Sequence, residues 1–166
     1  WSVWTNTATF TMPANEATVM PEFTHRRAYL GGLYINMPKE NTTYDNPVVA
    51  NNPLGVSSFK LYDDGGQYSS YTPNCEGFLR VVAPEGYVLR VKGTAQMFGA
   101  GAPALHIYHD NTVDDYAGHN ETPTPVNLTT AGNQMLVQFS PSSNNNGQYY
   151  GLDLTVTIMK PQAQCW

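Results

Sequence analysis

Apolar and polar residues alternate with period two through most of the chain beyond Ser57. Leu79 and Val81 share one face, and Tyr87, Leu89 and Val91 share another, with Arg90 and Lys92 turned out. Leu105 and Ile107 follow, then Met135, Val137 and Phe139, and last Leu152, Leu154, Val156 and Ile158 opposite Asp153, Thr155 and Thr157. Successive side chains of a strand point to opposite faces, so this alternation predicts strands with one dry and one wet face. No segment carries the longer period of an extended helix. Several short strands with turn residues between them predict an all-β fold, an antiparallel β-sandwich, over residues 57–166.

The segment before it reads differently. Residues 7–12 and 17–23 alternate Thr with larger apolar residues around a turn at Pro13 to Glu16, which predicts an N-terminal β-hairpin extension over residues 1–24. Such a small sheet cannot bury its apolar face alone. Trp1, Trp4, Phe10, Met12, Val19 and Phe23 are therefore expected to pack on the following domain or on another molecule. Residues 25–56, with Gly31, Gly32, Pro38, Pro47 and Pro53 among Asn and Thr, read as a linker holding one short strand from Gly32 to Met37.

Composition narrows the partners. Only 13% of the 166 residues are charged, with a net charge of −5. That argues against nucleic acid, whose binding is built from Lys and Arg. No stretch reaches the roughly 18 apolar residues of a spanning helix, so no membrane insertion is expected. The chain starts at Trp1 without Met, as a mature product or a piece of something longer would. An uncharged polar surface of this kind is common on extracellular β proteins.

The run from Phe59 to Cys75 (FKLYDDGGQYSSYTPNC), followed by Gly77 to Gly86 (GFLRVVAPEG), resembles the opening of a CUB-type β-sandwich of secreted and surface proteins of Gram-negative gut bacteria. That resemblance covers about Ser57 to Met159 and implies a CUB-like jelly roll acting as a binding or adhesion module. Residues 10–19 (FTMPANEATV) are similar to the closing signature of internalin-B-type surface repeats. The calcium-binding members of the CUB family take carboxylates from a Glu, two Asp bracketing a strand, and a loop Asp. Here Gln96 and Met97, Pro103, His109 and Ser142 stand at those positions. Calcium needs about six to eight oxygens, carboxylates among them, so the resemblance implies no metal and no cofactor.

A second calcium candidate, the acidic loop from Asp110 to Glu121, places Asp110, Thr112, Asp114 and Glu121 at EF-hand offsets. Asp115 stands where that loop needs Gly, and no helices flank it, so a solvated acidic loop is the reading. His106 and His109 fall on opposite faces of a strand and cannot chelate one ion. No G-x-S-x-G elbow, H-E-x-x-H helix or glycine-rich phosphate loop is present, and no catalysis is expected. Cys75 and Cys165 lack metal-ligand spacing and suit one long-range disulfide, worth about 4 kcal/mol in the chain-entropy model, or two free thiols.

Loop tyrosines remain as contact candidates. Tyr116 in the acidic loop, and Tyr149 with Tyr150 before the last strand, offer large rigid area with a polar tip for a protein or glycan ligand. The chain is thus expected to be a non-catalytic, secreted or cell-surface recognition module that uses loops at one end of the sandwich. Two other readings stand beside it: a fibre or surface-assembly subunit that self-associates through residues 1–24 by donor-strand contacts, and a carbohydrate-binding module.

Overall fold

The computed structural model describes residues 34–51, 56–98, 103–118, 122–142 and 149–162, and there the alternating segments are strands. In chain order they are β1 (Tyr34–Asn36), β2 (Val48–Asn51), β3 (Ser58–Tyr62), β4 (Gly77–Val82), β5 (Val88–Gln96), β6 (Pro103–His109), β7 (Thr112–Ala117), β8 (Thr124–Thr129), β9 (Gln134–Phe139) and β10 (Gly151–Met159). They form two five-stranded sheets, ordered β1-β3-β10-β5-β8 and β2-β4-β9-β6-β7. The protein is an all-β sandwich.

The longest pairing lies at the centre of the first sheet, where β10 runs antiparallel to β5 from Gly151 opposite Gln96 to Met159 opposite Val88. Leu154 and Val156 of β10 and Val91 of β5 have no solvent exposure, nor do Leu79 and Val81 of β4 or Val137 of β9 in the second sheet. Each such aliphatic side chain removed from water contributes about 1.5–3 kcal/mol before the cost of ordering the chain. The polar partners Asp153, Thr155 and Thr157 stay on the wet side, as the alternation predicts.

Residues 34–51 correct the expected linker. They supply β1 and β2, and each adds a parallel strand to one sheet: β1 beside β3, β2 beside β4. Ile35, Met37 and Ala50 belong to the common core. The sandwich therefore extends at least to Tyr34, and it is antiparallel except for these two edge pairs. Short strands flanked by Pro and Asn carry too few alternating positions to be told from a connection by pattern alone. The expected hairpin at residues 1–24 lies outside the described residues.

Between β1 and β2 the chain crosses from one sheet to the other as a strap. Glu76 N–H donates to the Lys39 carbonyl at 3.2 Å, and Phe78 N–H to Thr42 Oγ1 at 3.0 Å, so the strap is stitched to the start of β4. Thr43 and Asn46 then pair with each other and close a tight turn that carries Tyr44. Gly77 permits this approach, since a Cβ there would stand 1.6 Å from the Pro38 carbonyl oxygen.

Two substitutions test this account. Leu154→Ala is expected to lower the unfolding free energy by about 2–5 kcal/mol in urea titrations. Gly77→Ala should cost about 1–3 kcal/mol and speed hydrogen exchange at the Phe78 amide by unseating the strap. An unchanged exchange rate would show that the strap is not held there.

Candidate functional site

The ends of β3 and β5 and the start of β10 meet at one end of the sandwich, where Tyr149 and Tyr150 stand, while Tyr116 follows β6. The structure separates them. Tyr149 is only 7% exposed, with its ring centroid 5.8 Å from that of Phe98, and it belongs to the core, which corrects its reading as an exposed contact residue. Tyr116 lies on β7 rather than in a loop and packs partly buried against the core. Tyr150 is 60% exposed and Tyr68 84%. A tyrosine at a strand entrance is drawn onto the open end of the core because its ring gains more from burial than its hydroxyl loses.

The acidic pair after β3 is structural. Asp63 is fully buried: its Oδ1 accepts the Gly65 N–H at 2.8 Å and its Oδ2 accepts the Leu152 N–H at 3.0 Å. One side chain thus closes its own turn and ties that turn to the start of β10. Gly151, at φ 74°, lets the chain pass so close that a Cβ there would lie 2.5 Å from Asp63 Oδ2. Burial pushes the Asp63 carboxyl up to about 7 against the two amides that favour its ionised form. Asp64 accepts from the Thr72 N–H at 3.0 Å and from its hydroxyl, which folds the Gly-rich turn back on itself. Cys75 beside it is buried and has no disulfide partner among the described residues, desolvation pushes its thiol up to about 12, and Cys165 lies outside the described residues.

At the opposite end, β6 turns directly into β7 at Asp110 and Asn111, both with positive φ. Within the segment read as an acidic loop, residues 112–117 are strand, and Glu121, the last of the EF-hand offsets, lies outside the described residues. His109 is held between two carboxylates, with Nδ1 2.9 Å from Asp110 and Nε2 2.7 Å from Asp114. Burial alone would lower its pKa, but the two carboxylates raise it. Asp110 also accepts the Ala131 and Gly132 amides at 2.5 and 2.8 Å, joining this hairpin to the β8–β9 turn. Burial opposes and these partners favour its ionised form, which leaves its pKa lowered. Pro103 and His109, which the CUB resemblance sets at calcium-ligand positions, begin and end β6. They lie about 20 Å apart along an extended strand. Among the described residues no group of three His, Cys, Asp or Glu is arranged to hold a metal ion.

A concave feature of the described residues lies elsewhere, on the outer face of the second sheet. Val49, Arg80, Leu136, Tyr108 and Val113 stand opposite one another in a single row across β2, β4, β9, β6 and β7. Phe78, Gln138, His106 and Asp115 form the next row. Tyr44 swings over from the strap and meets Tyr108 edge to face, with centroids 5.3 Å apart at 86°. These parts enclose an open groove of about 580 Å³, lined by Tyr44, Arg80, Tyr108, Val113, Gln134 and Leu136 with the β6–β7 turn. Leu136 is its apolar floor at 5% exposure, while Tyr44 and Val113 are 51% and 45% exposed at the rim. Tyr108 donates its hydroxyl to Gln138 Oε1 at 2.8 Å, and Gln138 Nε2 donates to Glu76 at 3.0 Å. Desolvation, with Asp115 next, raises the Tyr108 pKa and keeps it a neutral donor.

None of the residues read from the sequence as ligand-binding lines this groove. The available signal was parity: Arg80 lies between inward Leu79 and Val81, and Tyr108 lies beside inward Ile107. Which outward residues become neighbours depends on strand order, which parity does not contain.

The chain superposes on solved structures that include CUB domains. On the CUB1-EGF-CUB2 domains of rat MASP-1 the TM-score is 0.56 at 16% identity, over 70% of this chain and 44% of that one. On the CUB1-EGF-CUB2 domain of human MASP-1/3 it is 0.51 at 14% identity, over 71% and 46%. On the full extracellular region of zebrafish Gpr126/Adgrg6 it is 0.52 at 17% identity, over 69% and 15%. The chain spans less than half the length of each of these solved chains. Its fold is thus CUB-like. The chain matches no protein-family model and no curated protein sequence. Among the described residues no helix is long and apolar enough to cross a membrane.

The buried carboxyl gives a pH dependence with a defined sign. Asp63 has a folded pKa above its ordinary 3.8, so its contribution is full below that value and is lost as pH rises toward about 7. His109, raised from 6.5, acts in the same direction at higher pH, while the lowered Asp110 loses its contribution only below 3.8. Stability should therefore fall by roughly 2 kcal/mol from pH 5 to pH 8 through Asp63. In thermal melts across that range, Asp63→Asn should flatten most of the slope. A slope that survives the substitution would assign it elsewhere.

Proposed function

We propose that this protein is a non-catalytic extracellular recognition module whose contact surface is the groove on the outer face of its second sheet. The observation that carries this reading is the groove itself: an apolar floor, two tyrosine rings and convergent polar groups, the usual make-up of a ligand site. The CUB-like fold supports it, since a solved chain of similar fold is an extracellular region. So does the low charge content of 13%. The resemblance of residues 57–159 to bacterial CUB-type modules, and of residues 10–19 to the end of an internalin-type repeat, favours a secreted or cell-surface protein of bacterial origin with an adhesive role.

A second reading draws on the strand order. β1 and β2 are edge strands among the described residues, and residues 1–33 lead directly into β1. A fibre subunit adding its N-terminal strand to a neighbour would use such edges. Light scattering separates the two, because a monomer at micromolar concentration rules assembly out.

Peptide and glycan arrays probed with the full chain test the main reading. Tyr44→Ala is expected to weaken capture of whatever array feature is bound by about tenfold or more, as loss of an aromatic anchor does, while Tyr150→Ala leaves it within about twofold. The reverse pattern would move the contact surface to the loop end, and no capture on either array would defeat the recognition reading.

A further inference from the structure

The ligand class follows from the charges and hydrogen bonds already committed around the groove, on the reading that the groove is the contact surface. His109 is matched by Asp110 and Asp114, and Asp110 also by the Ala131 and Gly132 amides. His106 lies 2.6 Å from Asp115, and Glu76 accepts from Gln138. Arg80 differs. It is half-buried on the outer face of β4, and its guanidinium has no ion pair or hydrogen bond among the described residues. A partly desolvated cation with no counter-charge favours an anion, and the planar guanidinium fork fits a carboxylate with two parallel hydrogen bonds.

The backbone beneath the groove excludes one mode of binding. β4 is paired with β2 and β9, β9 with β4 and β6, and β6 with β9 and β7, so the floor of the groove offers no free strand edge, and the edge strand β7 only borders it. A peptide lying on that floor has no strand edge to pair with. Recognition must come from side chains: the faces of Tyr44 and Tyr108, the uncharged polar groups of Asn111, Thr112 and Gln134, and the Arg80 guanidinium. Arg80 and Tyr108 stand two strands apart in one row, about 10 Å between backbones, with the Leu136 floor between them.

We infer that the groove binds an acidic saccharide, its ring seated on the tyrosines and its carboxylate held by Arg80. A sugar ring offers an apolar face to the aromatic rings and equatorial hydroxyls to the rim amides. Its carboxylate pairs with Arg80, the cation of the groove lining that has no counter-charge among the described residues.

The test is amide chemical-shift titration of the full chain with four probes: trigalacturonate, its methyl ester, sialyllactose and triglutamate. At least one of the two acidic saccharides is expected to shift amides of the Arg80 and Gln138 rows and to bind about tenfold or more tightly than the ester, the scale of one charge-assisted contact. Which of the two binds distinguishes a hexuronate from a sialic acid. Arg80→Gln should abolish the preference for acid over ester, Arg80→Lys should keep part of it, and Arg90→Gln should leave it unchanged. Thermal midpoints within a few degrees of the parent show that each variant is folded. Equal binding of acid and ester overturns the inference, and so does binding of triglutamate without either saccharide. Each of these leaves the groove as the contact surface. No groove shift with any probe also overturns it, and whether Tyr44-dependent array capture persists then tells whether the recognition reading falls too.

Discussion

The nine-residue pairing of β10 with β5 is the constraint on which the other elements rest. It places Leu152, Leu154, Val156 and Ile158 in one line on the dry side of the first sheet. A shift of one residue would send that whole set to water and bring Asp153, Thr155 and Thr157 inside. The register is thus held by burial along its length rather than by any single contact, and the second sheet packs against a surface that cannot slide.

Two polar devices finish what apolar burial begins. Asp63 ties the turn after β3 to the first residues of β10 through two backbone amides, at the cost of hiding a carboxylate from water. Asp110, together with His109, ties the β6–β7 hairpin to the β8–β9 turn at the other end. Satisfying backbone amides with a side-chain carboxylate lets loops of unequal length close over the same core. An open concave surface of the described residues lies on a sheet face.

That surface exists because the strap between β1 and β2 is pinned by Gly77 and Thr42 and so carries Tyr44 over β6. Without the strap the outer face of the second sheet would be a flat row of alternating side chains. With it, Leu136 is roofed into a floor and Tyr108 gains a neighbouring ring. A feature that reads as a linker therefore shapes the candidate site.

The alternation from Leu79 to Ile158 determined by itself that the chain forms strands with one dry face, because period two follows from backbone geometry and needs no partner. The same parity sets Arg80, Gln138, His106 and Tyr108 beside inward residues, a signal that the choice of contact tyrosines did not use. Tertiary structure alone decided that these residues adjoin, that Tyr149 is buried while Tyr150 is not, and that residues 34–51 belong to the sandwich. The physical reason is that local sequence specifies which way a side chain points. Which strand lies beside which is set by long-range burial shared among all ten strands.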